Sequence, residues 1–122
     1  MKKTVVIGAI DNPEKYAYKA TIALQRKNYE VIPVGIKDGE INGIKIINVN
    51  NDKGSIANVD TATLYVGPKN QPFWYDYILG LKPKRVVFNP GTENPEFESL
   101  LRQNNIEVLQ ACTLVMLSVG NY

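Results

Sequence analysis

Thr4-Val5-Val6-Ile7-Gly8-Ala9-Ile10-Asp11-Asn12-Pro13 opens a unit that continues through a helical stretch and closes on Tyr29-Glu30-Val31-Ile32-Pro33-Val34. The β-branched run 4–7 reads as a buried strand, and glycine and proline punctuate the loop after it. Over residues 15–28, Ala17, Ala20, Thr21 and Leu24 recur on one helical face, with Lys19, Gln25, Arg26 and Lys27 elsewhere. A second apolar run follows, so the chain opens with a strand–helix–strand unit. In open α/β sheets the first loop of such a unit faces the ligand. This loop has a glycine at the strand end but not the full G-x-G-x-x-G pattern of dinucleotide enzymes.

The alternation persists. Residues 35–43 are turn-rich, with Asp38-Gly39 and Asn42-Gly43, and Ile44-Lys45-Ile46-Ile47-Asn48-Val49 predicts one short third strand. A polar loop over 50–58, with one helical turn near Ile56, leads to a fourth strand, Ala62-Thr63-Leu64-Tyr65-Val66. Phe73, Tyr77, Ile78 and Leu81 at helical spacing predict a helix that closes before Pro83. Arg85-Val86-Val87-Phe88-Asn89 is a fifth strand. Pro95 begins a helix whose buried side carries Phe97, Leu100 and Leu101, and Ile106-Glu107-Val108-Leu109-Gln110 is a sixth strand. The apolar tail, residues 114–122, fits either a last helical turn or an arm. Near-continuous apolar strands imply a sheet covered on both faces. With right-handed crossovers this gives an α/β, doubly wound, three-layer sandwich around a mostly parallel sheet of five to six strands. One domain over 1–122 is expected from the length of 122 residues.

Composition narrows the function. A formal charge of +2, with basic residues dispersed, argues against nucleic acid as a partner. No run approaches membrane-spanning length, and the start lacks a signal-peptide core, so a cytoplasmic location is expected. Cys112 is the sole cysteine, which rules out an intramolecular disulfide and a cysteine-based metal site. There is no histidine, which removes Ser-His-Asp and Cys-His catalysis and histidine-held metals. No carboxylate pair marks a catalytic centre, and an enzyme is not expected.

The loops at the strand ends are 8–15, 33–37, 66–69, 89–92 and 111–113. Gly8-Ala9 admits two readings: backbone that approaches a phosphate beside a helix start, or a sharp turn alone. Asn12 before Pro13 is suited to cap the helix. The second strand ends in Gly35-Ile36-Lys37 without the acid that holds an NAD ribose. Lys37 suits a ribose phosphate, although a solvated lysine in a Lys-Asp-Gly turn is the plainer reading. Asn89 could offer donor and acceptor to a ligand, or simply build an Asn-Pro-Gly turn. Trp74, Tyr75 and Tyr77 read as core or interface before a base-stacking platform. Cys112 reads as a small buried hydrophobe.

Taken in order, these segments resemble the small stand-alone CoA-binding proteins of Rossmann type. They are similar as well to the CoA-binding domain of succinyl-CoA and acyl-CoA synthetases. The resemblance rests on Gly8-Ala9-Ile10, Pro13-Glu14-Lys15, Ala17-Tyr18 and the run Asn28-Tyr29-Glu30-Val31-Ile32-Pro33-Val34-Gly35-Ile36. It continues in Val59-Asp60, Pro95-Glu96-Phe97-Glu98 and the last strand leading into Cys112. It implies CoA or acyl-CoA laid over the strand ends, without a metal. The diphosphate would lie near Gly8, Ala9 and Ile10, and the phosphorylated adenosine near Lys15, Pro33 and Val34, with Tyr18 and Lys37 as further candidate ligand contacts. Pantetheine would run toward Asn89 and Gly91. The chain departs from the family pattern at Ile10, where a polar residue is usual, at Gly35-Ile36 for Asn-Pro, and at Val66 for a strand-end arginine. Lys15 for arginine keeps the charge but gives up bidentate contact.

The expected function is non-catalytic binding of CoA, acyl-CoA or a related adenine nucleotide. One alternative is a diverged domain that has lost its ligand and acts through protein contacts at Trp74, Tyr75, Tyr77 or the apolar tail. A less favoured one is an NADP-dependent oxidoreductase using Tyr18 or Tyr65 as proton donor. A homodimer is the commonest association for such a domain.

Overall fold

In the computed structural model, which describes residues 2–52, 54 and 56–122, the apolar runs become strands of one sheet. Strand β1 (Lys3–Ile7) leads through helix α1 (Tyr16–Arg26) to β2 (Glu30–Gly35). Short strands β3 (Glu40–Ile41), β4 (Ile44–Lys45) and β5 (Ile47–Asn48) follow, then β6 (Thr61–Leu64). A 3₁₀ segment, Pro68–Trp74, runs into α2 (Tyr75–Leu81), followed by β7 (Arg85–Phe88) and α3 (Pro95–Gln103). The chain ends with β8 (Glu107–Gln110) and α4 (Thr113–Val119).

The six-stranded sheet has the order β5-β2-β1-β6-β7-β8, with every pair parallel. Strands are added on one side of β1 first (β2, then β5) and on the other side afterwards (β6, β7, β8), so the strand order reverses between β1 and β6, the switch point at which doubly wound sheets open a crevice. Alternate side chains serve the two outer layers. Val5, Ile7, Ala62, Leu64, Val86 and Phe88 pack with Ile78, Phe97 and Leu101 of α2 and α3. Val6, Val31 and Val87 pack with Ala17 and Leu24 of α1 and with Met116 and Leu117 of α4. The α1 face expected from the sequence, Ala17, Ala20, Thr21 and Leu24, is the buried one.

Three expectations change. The single strand over 44–49 is divided, because Ile46 is needed in the core under α1 while Ile47 pairs beside Val34. Ile44 and Lys45 instead form a separate antiparallel ribbon with β3. The helix expected from Phe73 starts earlier as a 3₁₀ segment, since Pro72 within it lacks the N–H of a regular α-turn. The tail forms α4, with Met116 and Leu117 buried and Val115 and Val119 exposed. Ile56 itself is in no helix, and a turn reaching back from it would involve residues outside the described ones. Residues 53 and 55 of that loop, and Met1, lie outside the described residues.

Two glycines test how tightly the sheet is packed. A Cβ on Gly35 would stand 2.1 Å from the Ala9 carbonyl oxygen, whereas one on Gly80 in α2 meets nothing within 4 Å. Gly35→Ala is expected to lower unfolding stability by roughly 3 kcal/mol through overpacking against backbone. Gly80→Ala is expected to raise it by about 0.5–1 kcal/mol through helix entropy. Urea unfolding of the two variants measures both, and a neutral Gly35→Ala would contradict the close approach.

Candidate functional site

The site grows from the end of β1. Gly8 turns with φ +95, and a Cβ there would press to 2.9 Å from Val66 Cγ2. Beyond that turn the Gly8 and Ala9 amides both donate to the Val34 carbonyl, each at 2.9 Å. These two N–H groups are therefore spent on β2 and are not free for a phosphate. The chain then makes a turn in which the Asn12 side chain accepts from the Glu14 amide at 3.0 Å. Asn12 does not cap α1: the N-cap is Lys15, its side chain makes no capping bond, and Pro13 precedes the helix. The amides at the start of α1 lack intrahelical partners and present the positive end of the helix dipole.

Above these strand ends lies a cavity of about 940 Å³, a size suited to a cofactor. It is bounded by the loops after β1, β2, β6 and β7, and not by residues 111–113. Three lysines line it, Lys15, Lys37 and Lys69, and no lining residue is a carboxylate. Among the described residues the one ion pair is Lys3 with Glu30 at 3.7 Å, so these lysines carry no acidic partner there. Tyr16, Ile36 and Phe73 line the same cavity and are among the most exposed large hydrophobic side chains, at 66%, 51% and 59%. Trp74, nearly buried, is part of the wall. The arrangement suits an anion that also carries apolar or aromatic surface.

Of the residues expected at the site, Gly8, Ala9, Ile10, Lys15, Lys37 and Gly91 line the cavity. Tyr18, Pro33, Val34 and Asn89 do not. With Ala17 turned into the core, Tyr16 reaches the cavity, while Tyr18 packs against the core beneath α1 and α4. Pro33 and Val34 are buried within β2, leaving Gly35, Ile36 and Lys37 at the surface of the site. Asn89 is 2% exposed, and both ends of its amide are used inside the protein. Its Nδ2 donates to Thr63 Oγ1 at 2.7 Å and to the Leu64 carbonyl at 2.9 Å. Its Oδ1 accepts from the Thr113 amide at 2.9 Å. Asn89 ties β6, β7 and α4 together, and its amide is taken up by these internal bonds and lies outside the cavity lining.

The aromatic group is divided. Tyr75 stacks on Phe97 at 4.3 Å between ring centres, while Trp74 serves core and cavity at once. Cys112 is free and half-buried, short of the full burial expected. Tyr65 lines the cavity, but its hydroxyl is buried beside Thr63 and Thr113 and makes no hydrogen bond of good geometry among the described residues. Burial pushes its pKa well above the ordinary 10.0. Among the described residues no group of three or more His, Cys, Asp or Glu could hold a metal.

Sequence reasoning missed Gln71, which is fully buried. Its Nε2 donates to the Val66 carbonyl at 2.9 Å and the Thr92 carbonyl at 2.6 Å, and its Oε1 accepts from Asn94 Nδ2 at 2.9 Å. Asn94 in turn caps α3, accepting from the Phe97 amide at 3.3 Å, while its own amide donates to Glu98 Oε2 at 2.9 Å. One glutamine thus fixes the spacing of two cavity walls. Only the unusual burial of a polar side chain reveals it, and no periodicity marks that in the chain.

The sequence model of the CoA binding domain family matches residues 2–118. Among solved structures, a crystal structure described as that of an uncharacterized protein is 52% identical, with TM-score 0.94 over 100% of this chain and 98% of that one. A conserved hypothetical protein from Pyrococcus furiosus is 28% identical, with TM-score 0.81 over 94% and 98%. A Thermus thermophilus protein at 24% identity, TM-score 0.82 over 99% and 90%, shares the fold. No curated protein matches the chain.

Gln71→Leu is expected to cost about 2–4 kcal/mol of stability, because the Val66 and Thr92 carbonyls are left buried without a donor. Chemical denaturation checks this, and a loss below about 0.5 kcal/mol would show that the two walls do not depend on Gln71.

Proposed function

Because the chain belongs to the CoA-binding domain family, we propose that it binds CoA or an acyl derivative over the strand ends and carries out no chemistry of its own. The observation that carries this reading is a cavity with three lysines, no carboxylate and an aromatic rim. Lys15, Lys37 and Lys69 would neutralise the diphosphate and the ribose phosphate, with the start of α1 adding its dipole. The exposed rings of Tyr16 and Phe73 offer surfaces for the adenine and the pantetheine arm.

The amides of Gly8 and Ala9 are engaged with β2, so phosphate binding falls to lysine side chains and helix-end amides. Lysine ammonium groups are point charges without a bidentate fork. Affinity in this reading leans on charge, and it falls as salt screens the exposed lysines. Tyr65 and Tyr18, the proton donors an NADP enzyme would use, are poorly placed for that work. Tyr18 is outside the cavity, and burial makes the Tyr65 hydroxyl a reluctant acid. No helix among the described residues is long and apolar enough to cross a membrane.

Thermal unfolding with millimolar CoA, acetyl-CoA, ADP or NADP tests the reading. Ligand at a hundred times its dissociation constant adds about 2.7 kcal/mol, a clear shift in Tm. CoA compounds are expected to shift Tm more than NADP does. Lys37→Ala is expected to weaken CoA binding by about 1.5–3 kcal/mol. No shift with any CoA compound would refute the proposal.

A further inference from the structure

A second cavity, of about 460 Å³, lies against α2 and the segment after β5. Its walls include Val49, Tyr77, Gly80 and Leu81, and it shares Phe73 and Trp74 with the larger cavity. The two also adjoin where Val49, in the small one, is followed by Asn50, in the large one. We infer that the smaller cavity receives the acyl group of an acyl-CoA whose nucleotide occupies the larger one, and that it selects a neutral apolar chain of several carbons. This inference rests on the CoA reading of the main cavity.

Three observations support it. Five of its eight lining residues are aromatic or aliphatic side chains (Val49, Phe73, Trp74, Tyr77 and Leu81), surface on which a hydrocarbon chain can pack, and its volume exceeds the needs of an acetyl group. Tyr77 lines this cavity, and its hydroxyl is closed off from solvent with no hydrogen-bond partner among the described residues, so a shift of the ring would bring an unused donor to an acyl carbonyl. The acidic groups nearby are Asp76, exposed and part of the lining, and Asp52, whose charge is felt by the Tyr77 hydroxyl. Both would repel a carboxylate at the end of the chain, so succinyl or malonyl groups are disfavoured.

Trp74 is the only tryptophan and borders both cavities, so its fluorescence reports on each, with calorimetry giving the affinities. Each methylene buried strengthens binding about fourfold. Hexanoyl-CoA is therefore expected to bind at least tenfold more tightly than acetyl-CoA, and succinyl-CoA no more tightly than CoA. Gly80→Leu, whose Cβ enters open space, would fill the small cavity from a helical position. It is expected to abolish the hexanoyl advantage while leaving CoA affinity within twofold. Equal affinity for hexanoyl- and acetyl-CoA, or a Gly80→Leu variant that keeps the advantage, would overturn the acyl site while leaving the CoA reading intact. Failure of CoA itself to bind would overturn both.

Discussion

The structure depends on one crowded crossing, where the end of β1 meets the end of β2. The Val34 carbonyl accepts from two successive amides, Gly8 and Ala9, and Gly35 passes so close beneath the Ala9 carbonyl that no side chain fits. Gly8 can complete this only by adopting φ +95, conformational space that other residues enter at a cost. The exchange brings β1 and β2 to a common edge and starts the loop that carries Lys15 to the cavity. It also uses the two donors that a phosphate would otherwise find first. Construction of the sheet and recognition of an anion compete here for the same backbone groups, and construction has taken them.

That competition explains how the site is charged. With the Gly8 and Ala9 amides spent, the cavity draws ammonium groups from three loops and leaves carboxylates out of its lining. Helix α1 starts with no side-chain cap and no acid in its first turn, so its dipole is not neutralised from within. An uncapped helix start and three lysines with no acidic partner among the described residues concentrate mutually repelling positive charge at the site. Gln71 and Asn94 hold the walls of the cavity together against this repulsion through buried hydrogen bonds.

Most of the fold was legible because it is written in local pattern. Buried parallel strands read as apolar runs, and α1 exposes one clear face, so the layers and strand succession follow. The run 44–49 misled because its apolar residues serve two different layers: Ile46 enters the core under α1, while Ile47 stays at the sheet edge. The site was half legible. Glycines and lysines at strand ends can be counted from sequence, but the destination of an amide side chain cannot. Asn89 has the chemistry of a ligand contact, yet Thr63, Leu64 and Thr113, from distant parts of the chain, absorb all of it. The choice between Tyr16 and Tyr18 is a matter of helical phase, fixed by which side of Ala17 faces the core.

The departures from the family pattern acquire a different meaning in three dimensions. Gly35, where the pattern has an amide side chain, is required by the Ala9 carbonyl, and any side chain there would break the crossing. Val66, where an arginine is usual, sets its Cγ2 against the space over Gly8 and so helps to hold the first turn. The cation missing at Val66 has a counterpart three residues on, where Lys69 in the 3₁₀ segment faces the same cavity. Ile10 remains as a lost polar contact, but it lies in a cavity rimmed by Ile36 and Phe73, where apolar surface is already abundant. A cation thus stands at Lys69, while Val66 serves packing over Gly8. The resulting cavity combines three lysines with a rim of exposed apolar side chains, Tyr16, Ile36 and Phe73.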